Sequence, residues 1–289
     1  MSADEWLYAR LHHTTHGEAD RLLAGVASDW VSAARAAGVR RWFFIRYADP
    51  SGPHLRLRFQ GSPEVLDACY AAGRELWAAA VQEPPAATGS VERLHPLAER
   101  LMPSKGRRRL SFGLYGREHH YYGDPAAVRI AEELFELSSE FALAAIGEGP
   151  DRTRLARLAT GVMDSCLDEA LGPRQRDRFR QAHWRYWTGP PLTADAVRLA
   201  EAAVSRWRPA LAAAPEPDRS LGPAAANLGR ALADGVARAV RADPSAVAAR
   251  VLLMQVHMTF NRLGFLPLEE AVLGRAAALP DGAEHATAE

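Results

Sequence analysis

The sequence has few cysteines, no excess of charge of either sign and no long apolar run. Its two cysteines, Cys69 and Cys166, stand far apart without a CxxC pair, which excludes a disulfide framework and a structural zinc site. Lys plus Arg and Asp plus Glu both number 35, so the basic excess that favours nucleic-acid binding is missing. No stretch approaches the roughly 18 apolar residues of a membrane span. We therefore expect a cytoplasmic protein that binds neither nucleic acid nor membrane.

The length of the chain favours one large domain. With 289 residues, of which 48% are hydrophobic, the chain can bury about three quarters of the surface that it exposes when unfolded. The residues after Pro280 are small and polar, which is typical of a disordered terminus. The sequence thus predicts a single domain over residues 1–280 and a disordered tail over residues 281–289.

Short segments rich in aromatic and branched residues predict a small sheet in the N-terminal part of the chain. The predicted strands cover residues 6–11, 42–47, 54–59 and 110–115. The segment ADPSGP between the second and third strands contains the Asp, Pro and Gly residues of a hairpin turn. We therefore expect these two strands to be antiparallel neighbours.

Most of the remaining sequence has apolar residues at the three-to-four spacing of amphipathic helices. The predicted helices cover residues 18–37, 63–81, 125–146, 153–171, 174–187, 194–213, 224–241 and 245–263. The fold class that follows is α+β, with a small antiparallel sheet in the N-terminal part packed with many helices.

The segment HLRLRF, residues 54–59, is the first candidate for chemistry. Alternation along a strand places His54, Arg56 and Arg58 on one face. Arginine holds carboxylates and developing oxyanions because its planar guanidinium donates two parallel hydrogen bonds and stays charged. Arg46 in the preceding strand is expected to add a third cation. The alternative is an ordinary solvent-facing side of an antiparallel sheet.

The segment YGREHHYYGD, residues 115–124, is the second candidate because it concentrates acid, base and phenol groups before a helix. Glu118 and the adjacent histidines can exchange protons near neutral pH, and Tyr115, Tyr121 and Tyr122 can donate hydrogen bonds to an oxyanion. Adjacent histidines rarely point the same way and no third ligand is evident, so we expect no metal. The alternative is an aromatic turn that closes the domain.

His257, Asn261 and Arg262 form the third candidate. His257 and Asn261 lie four residues apart on one predicted helix and so share a face. A hydrogen bond from a neighbouring group would fix the tautomer of His257 and make it an oriented acid or base. A helical histidine without such a partner is more commonly a core or surface residue.

Together, these segments resemble the domain family found at the C-terminus of lantibiotic dehydratases and as separate proteins in thiopeptide biosynthesis. The similarity is ordered and spans most of the chain, and its specificity lies in the combination of segments. The matching segments are Trp6-Leu7-Tyr8, WFFIRYADP, PHLRLRF, YGREHHYYGD, Met163-Asp164-Ser165 and HMTFNRLG at residues 257–264.

In the dehydratase branch, the resemblance implies elimination of glutamate from a glutamylated Ser or Thr. Arg56, Arg58 and His257 would then supply the cations and the base for that reaction. The loop of this branch typically has arginine where this chain has Tyr121, whereas its glutamate is kept as Glu118. The missing arginine would leave the departing carboxylate less well neutralised.

In the branch of stand-alone thiopeptide cyclases, the resemblance implies a formal aza-[4+2] cycloaddition between two dehydroalanines. Loss of water and of the leader peptide then yields a pyridine-centred macrocycle, without a cofactor. The expected substrate is a ribosomally made precursor with a leader and a dehydrated core, and other enzymes of the pathway are expected partners. Candidate catalytic residues are Tyr121, Tyr122, His257, Glu118, Asp164 and Ser165.

We favour the cyclase, because phenols, a histidine and a serine suit proton transfer and iminol stabilisation better than a tight arginine cluster does. A glutamate-eliminating subunit of a split dehydratase and a non-catalytic leader-binding scaffold remain the alternatives. In each case the site is expected where the HLRLRF face, the 115–124 loop and the predicted helix over residues 245–263 converge.

Overall fold

The computed structural model describes residues 4–82, 106–149, 151–214 and 220–278. These residues combine a four-stranded antiparallel sheet with a larger set of helices, so the predicted α+β fold class is confirmed. The tail predicted over residues 281–289 lies outside the described residues. No helix in the described ranges has the length and apolar character needed to cross a bilayer.

The sheet has the strand order β2-β3-β1-β4, and every neighbouring pair is antiparallel. Its strands are β1 Glu5–His12, β2 Arg41–Asp49, β3 Gly52–Gly61 and β4 Arg109–Gly113. The hairpin predicted between β2 and β3 is confirmed, and Gly52 closes its turn with a φ of +102° that side-chain-bearing residues rarely adopt. Because β4 ends at Gly113, Tyr115 lies in the following loop and not in the strand as predicted.

The helices surround the sheet and pack on one another. They are α1 His16–Leu22, α2 Ser28–Ala36, α3 Pro63–Ala80, α4 His119–Tyr122, α5 Pro125–Gly147, α6 Arg152–Ala170, α7 Pro173–Thr188, α8 Ala194–Ala213, α9 Leu221–Ala242, α10 Ala248–Arg262 and α11 Pro267–Ala278. A π-helical segment, Leu23–Ala27, joins α1 to α2, so the single helix predicted over residues 18–37 is divided.

The sequence pattern does not predict α11, and burial is the reason. Every residue from Leu268 to Gly274 is buried, so this helix lacks the polar stripe that produces a three-to-four pattern. The helix predicted from residue 245 instead begins at Ala248. Asp243 accepts hydrogen bonds from the N–H and the hydroxyl of Ser245, which holds the preceding residues in a turn.

The two faces of the sheet differ because side chains alternate along each strand. The packed face carries buried apolar residues such as Leu55, Leu57 and Phe59, and the ring of Phe59 lies 5.2 Å from that of Trp30 in α2. The opposite face, which we call the cationic face, carries Tyr8, Arg10, His12, Tyr47, His54, Arg56 and Arg58. The predicted alternation of residues 54–59 is thus confirmed.

Side chains from two helices cover the outer edge of β2. The backbone N–H groups of residues 42, 44 and 46 donate to Glu136, Ser139 and Asn261 at 3.3, 3.1 and 2.9 Å. An exposed strand edge would offer these donors to another chain. The contacts instead attach α5 and α10 to the sheet, and this attachment positions the C-terminal half of α10.

Replacing Gly73 of α3 should destabilise the protein. A Cβ at Gly73 would overlap the buried indole of Trp30, so Gly73→Ala should lower the free energy of unfolding by about 1–3 kcal/mol. Gly161 of α6 is the matched control, because none of the described residues places an atom within 4 Å of an added Cβ. Gly161→Ala should raise the free energy of unfolding by roughly 0.5–1 kcal/mol. Urea denaturation measures both changes, and equal stability of the two variants would contradict the close packing.

Candidate functional site

Arg58 lies on the cationic face in a ring of aromatic side chains. Its guanidinium carbon is 5.1, 5.2 and 4.9 Å from the ring centroids of Tyr8, Phe43 and Tyr115. Only 5% of the residue is exposed, and its Nε has no hydrogen-bond partner among the described residues. The aromatic faces stabilise this cation in part, but one of its donors is left available.

Arg262, the last residue of α10, is fully buried and close enough to Arg58 for the two charges to interact. Its Nε donates to Ser139 Oγ at 2.9 Å, whereas Nη1 and Nη2 have no partner within the described ranges. Burial, reinforced by the charge of Arg58, lowers the pKa of Arg262 to about 9, so the side chain stays cationic at neutral pH. Two buried cations with unused donors can bind an anion or a developing oxyanion.

The loop before α5 supplies the other groups around these arginines. The charge of Glu118 favours the cationic form of both guanidiniums, although no ion pair joins them in the described part of the chain. Burial raises the pKa of Tyr122 and of Tyr115, and Tyr115 donates its hydroxyl to Glu132 at 3.1 Å. We call Arg58, Arg262, Glu118, Tyr115 and Tyr122 the cation cluster.

Local capping holds this loop in place. Asp124 accepts hydrogen bonds from the N–H groups of Ala126 and Ala127, both at 2.8 Å, and so caps α5. Its own N–H donates to Asp243 at 2.8 Å. The loop is therefore attached at its end both to α5 and to the segment that precedes α10.

His257 lies outside the cation cluster, at a small cavity of about 300 Å³. The cavity is bounded by the ends of β1 and β2, by α10 and by the start of α11, and its polar lining comes from His13, Arg46, Tyr47, His257 and Asn261. His257 Nδ1 lies 2.7 Å from Glu270 Oε2, and its ring lies 4.5 Å from that of Trp187. The cavity thus combines two histidines, a guanidinium and a phenol.

Asn261 does not orient His257 as its spacing suggests. Its side-chain amide instead bonds to both backbone groups of Arg46, each at 2.9 Å, and thereby extends the edge of the sheet. Glu270 is the group that orients His257, and the sequence pattern misses it because it lies on the unpredicted helix α11.

Arg46 does not extend the row of Arg56 and Arg58. The strand register pairs Arg46 with Leu55, which places it on the packed face, so the expectation of a third cation in that row is wrong. Its guanidinium bonds to Asp20 at 2.5 Å and to the carbonyl oxygen of Arg262 at 3.0 Å. Arg46 therefore connects the small cavity to the end of α10.

The cationic face reaches the small cavity through Arg56 and Tyr47. The guanidinium carbon of Arg56 lies 3.3 Å from the ring centroid of Tyr47, which lines the cavity, and its Nε bonds to His54 at 3.1 Å. His54 is fully buried, so this hydrogen bond attaches Arg56 to a group with little freedom to move. Arg10 pairs directly opposite Arg56; alternation along residues 6–11 could have identified this residue from the sequence.

A second, larger cavity of about 1060 Å³ lies between α7, α9 and α10. Its lining is mainly apolar and includes Tyr121, Phe179, His183, Tyr186, Val236 and Met254. Two predicted catalytic residues are engaged elsewhere. Asp164 pairs with Arg180 at 2.5 Å, and Ser165 packs against Gly229 of α9, where a side chain would collide with it.

Helix α10 contributes to all three parts of the site. Met254 lines the large cavity, His257 the small cavity, and Arg262 belongs to the cation cluster. Met254 and Arg262 are eight residues apart, which corresponds to about 12 Å along the axis of α10. The end of α10 thus meets the cationic face and the 115–124 loop at Arg262, whereas His257 lies at a cavity that neither Arg58 nor Glu118 lines.

Acid should destabilise this protein between about pH 6.5 and pH 4. Burial lowers the pKa of His12 and of His13 to about 4 from an ordinary value of 6.5, so in this window the unfolded chain binds more protons than the folded one. The free energy of unfolding should fall with decreasing pH, by at most about 1.4 kcal/mol per unit for each histidine. Urea denaturation at pH values from 7 to 4.5 measures how the free energy of unfolding depends on pH. His12→Gln and His13→Gln should each reduce this dependence. A free energy of unfolding that does not change over this range would contradict the burial of these imidazoles in their neutral form.

Arg262→Met should leave the free energy of unfolding unchanged or raise it by up to about 2 kcal/mol, because it removes a buried charge whose Nη donors are unused. Arg152→Met is the matched control. Arg152 bonds to the fully buried Glu269 at 2.9 Å, and losing it should cost about 3–5 kcal/mol because it removes the cation that pairs with this buried carboxylate. Thermal and urea denaturation compare the two variants. A larger loss for Arg262→Met than for Arg152→Met would show that Arg262 is mainly structural.

Solved structures that resemble this chain include those of a lantibiotic dehydratase, a pyridine synthase and TsrL. The tRNA dependent lantibiotic dehydratase MibB from Microbispora sp. 107891 is 24% identical with a TM-score of 0.58, and the match covers 94% of this chain and 27% of MibB. The pyridine synthase TbtD from thiomuracin biosynthesis is 18% identical with a TM-score of 0.67, over 94% of this chain and 96% of TbtD. TsrL is 16% identical with a TM-score of 0.58, over 95% of this chain and 94% of TsrL.

These likenesses establish a common fold, and the chain spans only about a quarter of the length of MibB. No curated protein sequence matches the chain significantly. The sequence profile of the family described as lantibiotic biosynthesis dehydratase C-term, however, matches residues 6–279. Because that match covers nearly the whole chain, the protein belongs to the lantibiotic biosynthesis dehydratase C-terminal family.

Proposed function

We propose that this protein catalyses pyridine formation on a leader-bearing precursor peptide. The iminol tautomer of one dehydroalanine amide supplies an azadiene, a second dehydroalanine supplies the alkene, and two σ bonds form between them. Loss of water removes the iminol oxygen, and loss of the leader as its amide makes the ring aromatic. The sequence of steps balances without an oxidant and yields a pyridine-centred macrocycle.

The side chain of Tyr121 is the observation that carries this proposal. In the dehydratase branch this loop position typically holds an arginine, whereas here a neutral phenol lines the large, mainly apolar cavity. A mainly apolar wall suits the uncharged body of a dehydrated peptide, and the phenol of Tyr121 gives a glutamyl carboxylate no cation at this position. The likeness to a pyridine synthase over 96% of that protein supports the same assignment.

The arrangement along α10 suits a substrate that must meet the enzyme at several points. About 12 Å of helix corresponds to roughly four residues of extended peptide. A peptide crossing α10 could place apolar residues in the large cavity and a reacting amide beside His257. The two reacting residues are distant in the peptide sequence, so bringing them together costs loop-closure entropy. Binding contacts with the enzyme would offset this cost.

The proposed chemical roles follow from the charges and hydrogen bonds. His257 transfers protons during iminol formation and water loss, because Glu270 leaves its Nε2 available at the small cavity. The unused donors of Arg58 and Arg262 stabilise negative charge as it develops on an amide oxygen. Tyr121 lines the large cavity, and its ring lies 6.4 Å from that of Tyr122 in the cation cluster.

Elimination of glutamate from a glutamylated precursor is the second candidate function. The observation that favours it is the same pair of buried arginines, since two cations with unused donors suit a carboxylate as well as an oxyanion. In this case His257 would remove the α-proton of the glutamylated residue. The two candidates therefore share a base and differ in what the arginines bind.

Mass spectrometry of the purified protein with two substrates distinguishes these functions. The first substrate is a leader-bearing core peptide that contains two dehydroalanines; the second is a glutamylated precursor. We expect the first to yield a pyridine macrocycle and a free leader amide, and His257→Ala to reduce the rate by about 10²–10⁴-fold. Glutamate release from the second substrate, with the first unchanged, would replace the cyclase with the eliminating enzyme.

A substitution at Tyr121 sharpens the comparison. Tyr121→Arg should abolish cyclisation, because it introduces a charge into the apolar wall, whereas it should increase glutamate release if elimination is the true reaction. Tyr70→Arg is the control, since Tyr70 is exposed on α3, away from both cavities. Cyclisation that survives Tyr121→Arg as well as it survives Tyr70→Arg would contradict the proposed role of the large cavity.

A further inference from the structure

Glu270 of α11 binds two histidines from two other helices. Its Oε1 lies 2.8 Å from Nε2 of His183 in α7, and its Oε2 lies 2.7 Å from Nδ1 of His257 in α10. Both residues are buried, with at most 1% of the surface of Glu270 or His183 exposed. An ionised carboxylate only accepts hydrogen bonds, so each histidine must donate an N–H to it.

The surrounding packing leaves little freedom to this arrangement. His183 packs against α11 at Gly274, where an added Cβ would lie 3.1 Å from the imidazole, and its ring stacks on Phe179. The ring of His257 lies 4.5 Å from that of Trp187. With both oxygens of Glu270 occupied and both rings packed, neither the carboxylate nor the imidazoles can turn without losing a bond.

The charge of Glu270 is maintained by its partners. Burial by itself would raise the pKa of this carboxyl group, but its interactions with the two histidines lower it below its ordinary value. Glu270 is therefore ionised at neutral pH and acts as an acceptor on both sides.

The two histidines belong to different cavities. His257 lines the small cavity and His183 lines the large one. Because Nδ1 of His257 carries the proton donated to Glu270, Nε2 is its available nitrogen, and no group within the described ranges bonds to it. One buried carboxylate thus fixes the proton position on a ring at each cavity.

We propose that Glu270 is a positioning residue that holds His257 as the Nδ1–H tautomer and His183 as the Nε2–H tautomer, so that a single carboxylate sets the acid or base group at both cavities. The role of His257 in proton transfer rests on the proposed function. The tautomers themselves do not depend on it. Glu270 touches no substrate and acts through the two imidazoles.

Glu270→Gln tests this directly, because an amide oxygen accepts whereas its NH₂ group only donates. The variant can satisfy one histidine as before, but the other must accept a hydrogen bond and move its proton to the opposite ring nitrogen. Nitrogen-15 NMR of histidine-labelled protein reports the tautomers, with signals assigned through His183→Gln and His257→Gln. We expect at least one ring to change tautomer; if both keep their tautomers, the proposal is overturned.

Glu269→Gln is the matched control. The neighbouring Glu269 is equally buried and bonds to Arg152 and to the N–H of Leu266, so this variant should alter stability without changing either tautomer. With the didehydroalanine peptide, Glu270→Gln should lower kcat by about 10²-fold or more at an unchanged KM, and Glu269→Gln should not. Equal kcat values in the two variants would overturn the positioning role. A wild-type protein that shows the expected tautomers but does not cyclise the peptide would refute the proposed function and leave the role of Glu270 in place.

Discussion

The burial of two adjacent carboxylates on α11 is the constraint on which the helical part of this protein depends. Glu269 and Glu270 are both fully buried, and an ionised group in an apolar interior is tolerated only when it is paired and hydrogen-bonded. Arg152 at the start of α6 pairs with Glu269, while His183 of α7 and His257 of α10 bind Glu270. Three helices must therefore meet at α11 for the fold to form.

This constraint also connects folding to chemistry. The hydrogen bond that compensates Glu270 is the one that orients His257 at the small cavity. A histidine held in this way needs no reorganisation when a proton is transferred, which is the usual advantage of a rigid site. The same interaction thus stabilises the packing of α10 and α11 and prepares the proposed proton-transfer group.

Unlike the paired carboxylates of α11, the arginines of the cation cluster are buried without partners for all of their hydrogen-bond donors among the described residues. Arg58 and Arg262 are buried with donors that no described residue uses, and such groups destabilise a protein unless a ligand completes them. Aromatic rings around Arg58 and the more distant charge of Glu118 compensate only part of this cost. An arrangement of this kind is typical of a binding site, where stability is given up for an interaction with the substrate.

The features that depend on local periodicity could be predicted from the sequence. Alternation over residues 54–59 identified the face that carries Arg56 and Arg58, and ADPSGP identified the hairpin, because strand and turn geometry require only neighbouring residues. The family could likewise be identified from the ordered motifs, because each motif is a run of neighbouring residues. Tertiary structure alone decided which face Arg46 takes, since that depends on the pairing register between β2 and β3.

Tertiary structure also decided the partners of the candidate site residues. Asn261, four residues from His257, caps the sheet edge, whereas the partner of His257 is Glu270 on a helix without an amphipathic pattern. A buried carboxylate gives no local signal of what will compensate it, because its partners come from separate helices that meet only in the folded chain. The residue types of the site could therefore be read from the sequence, but their pairing could not.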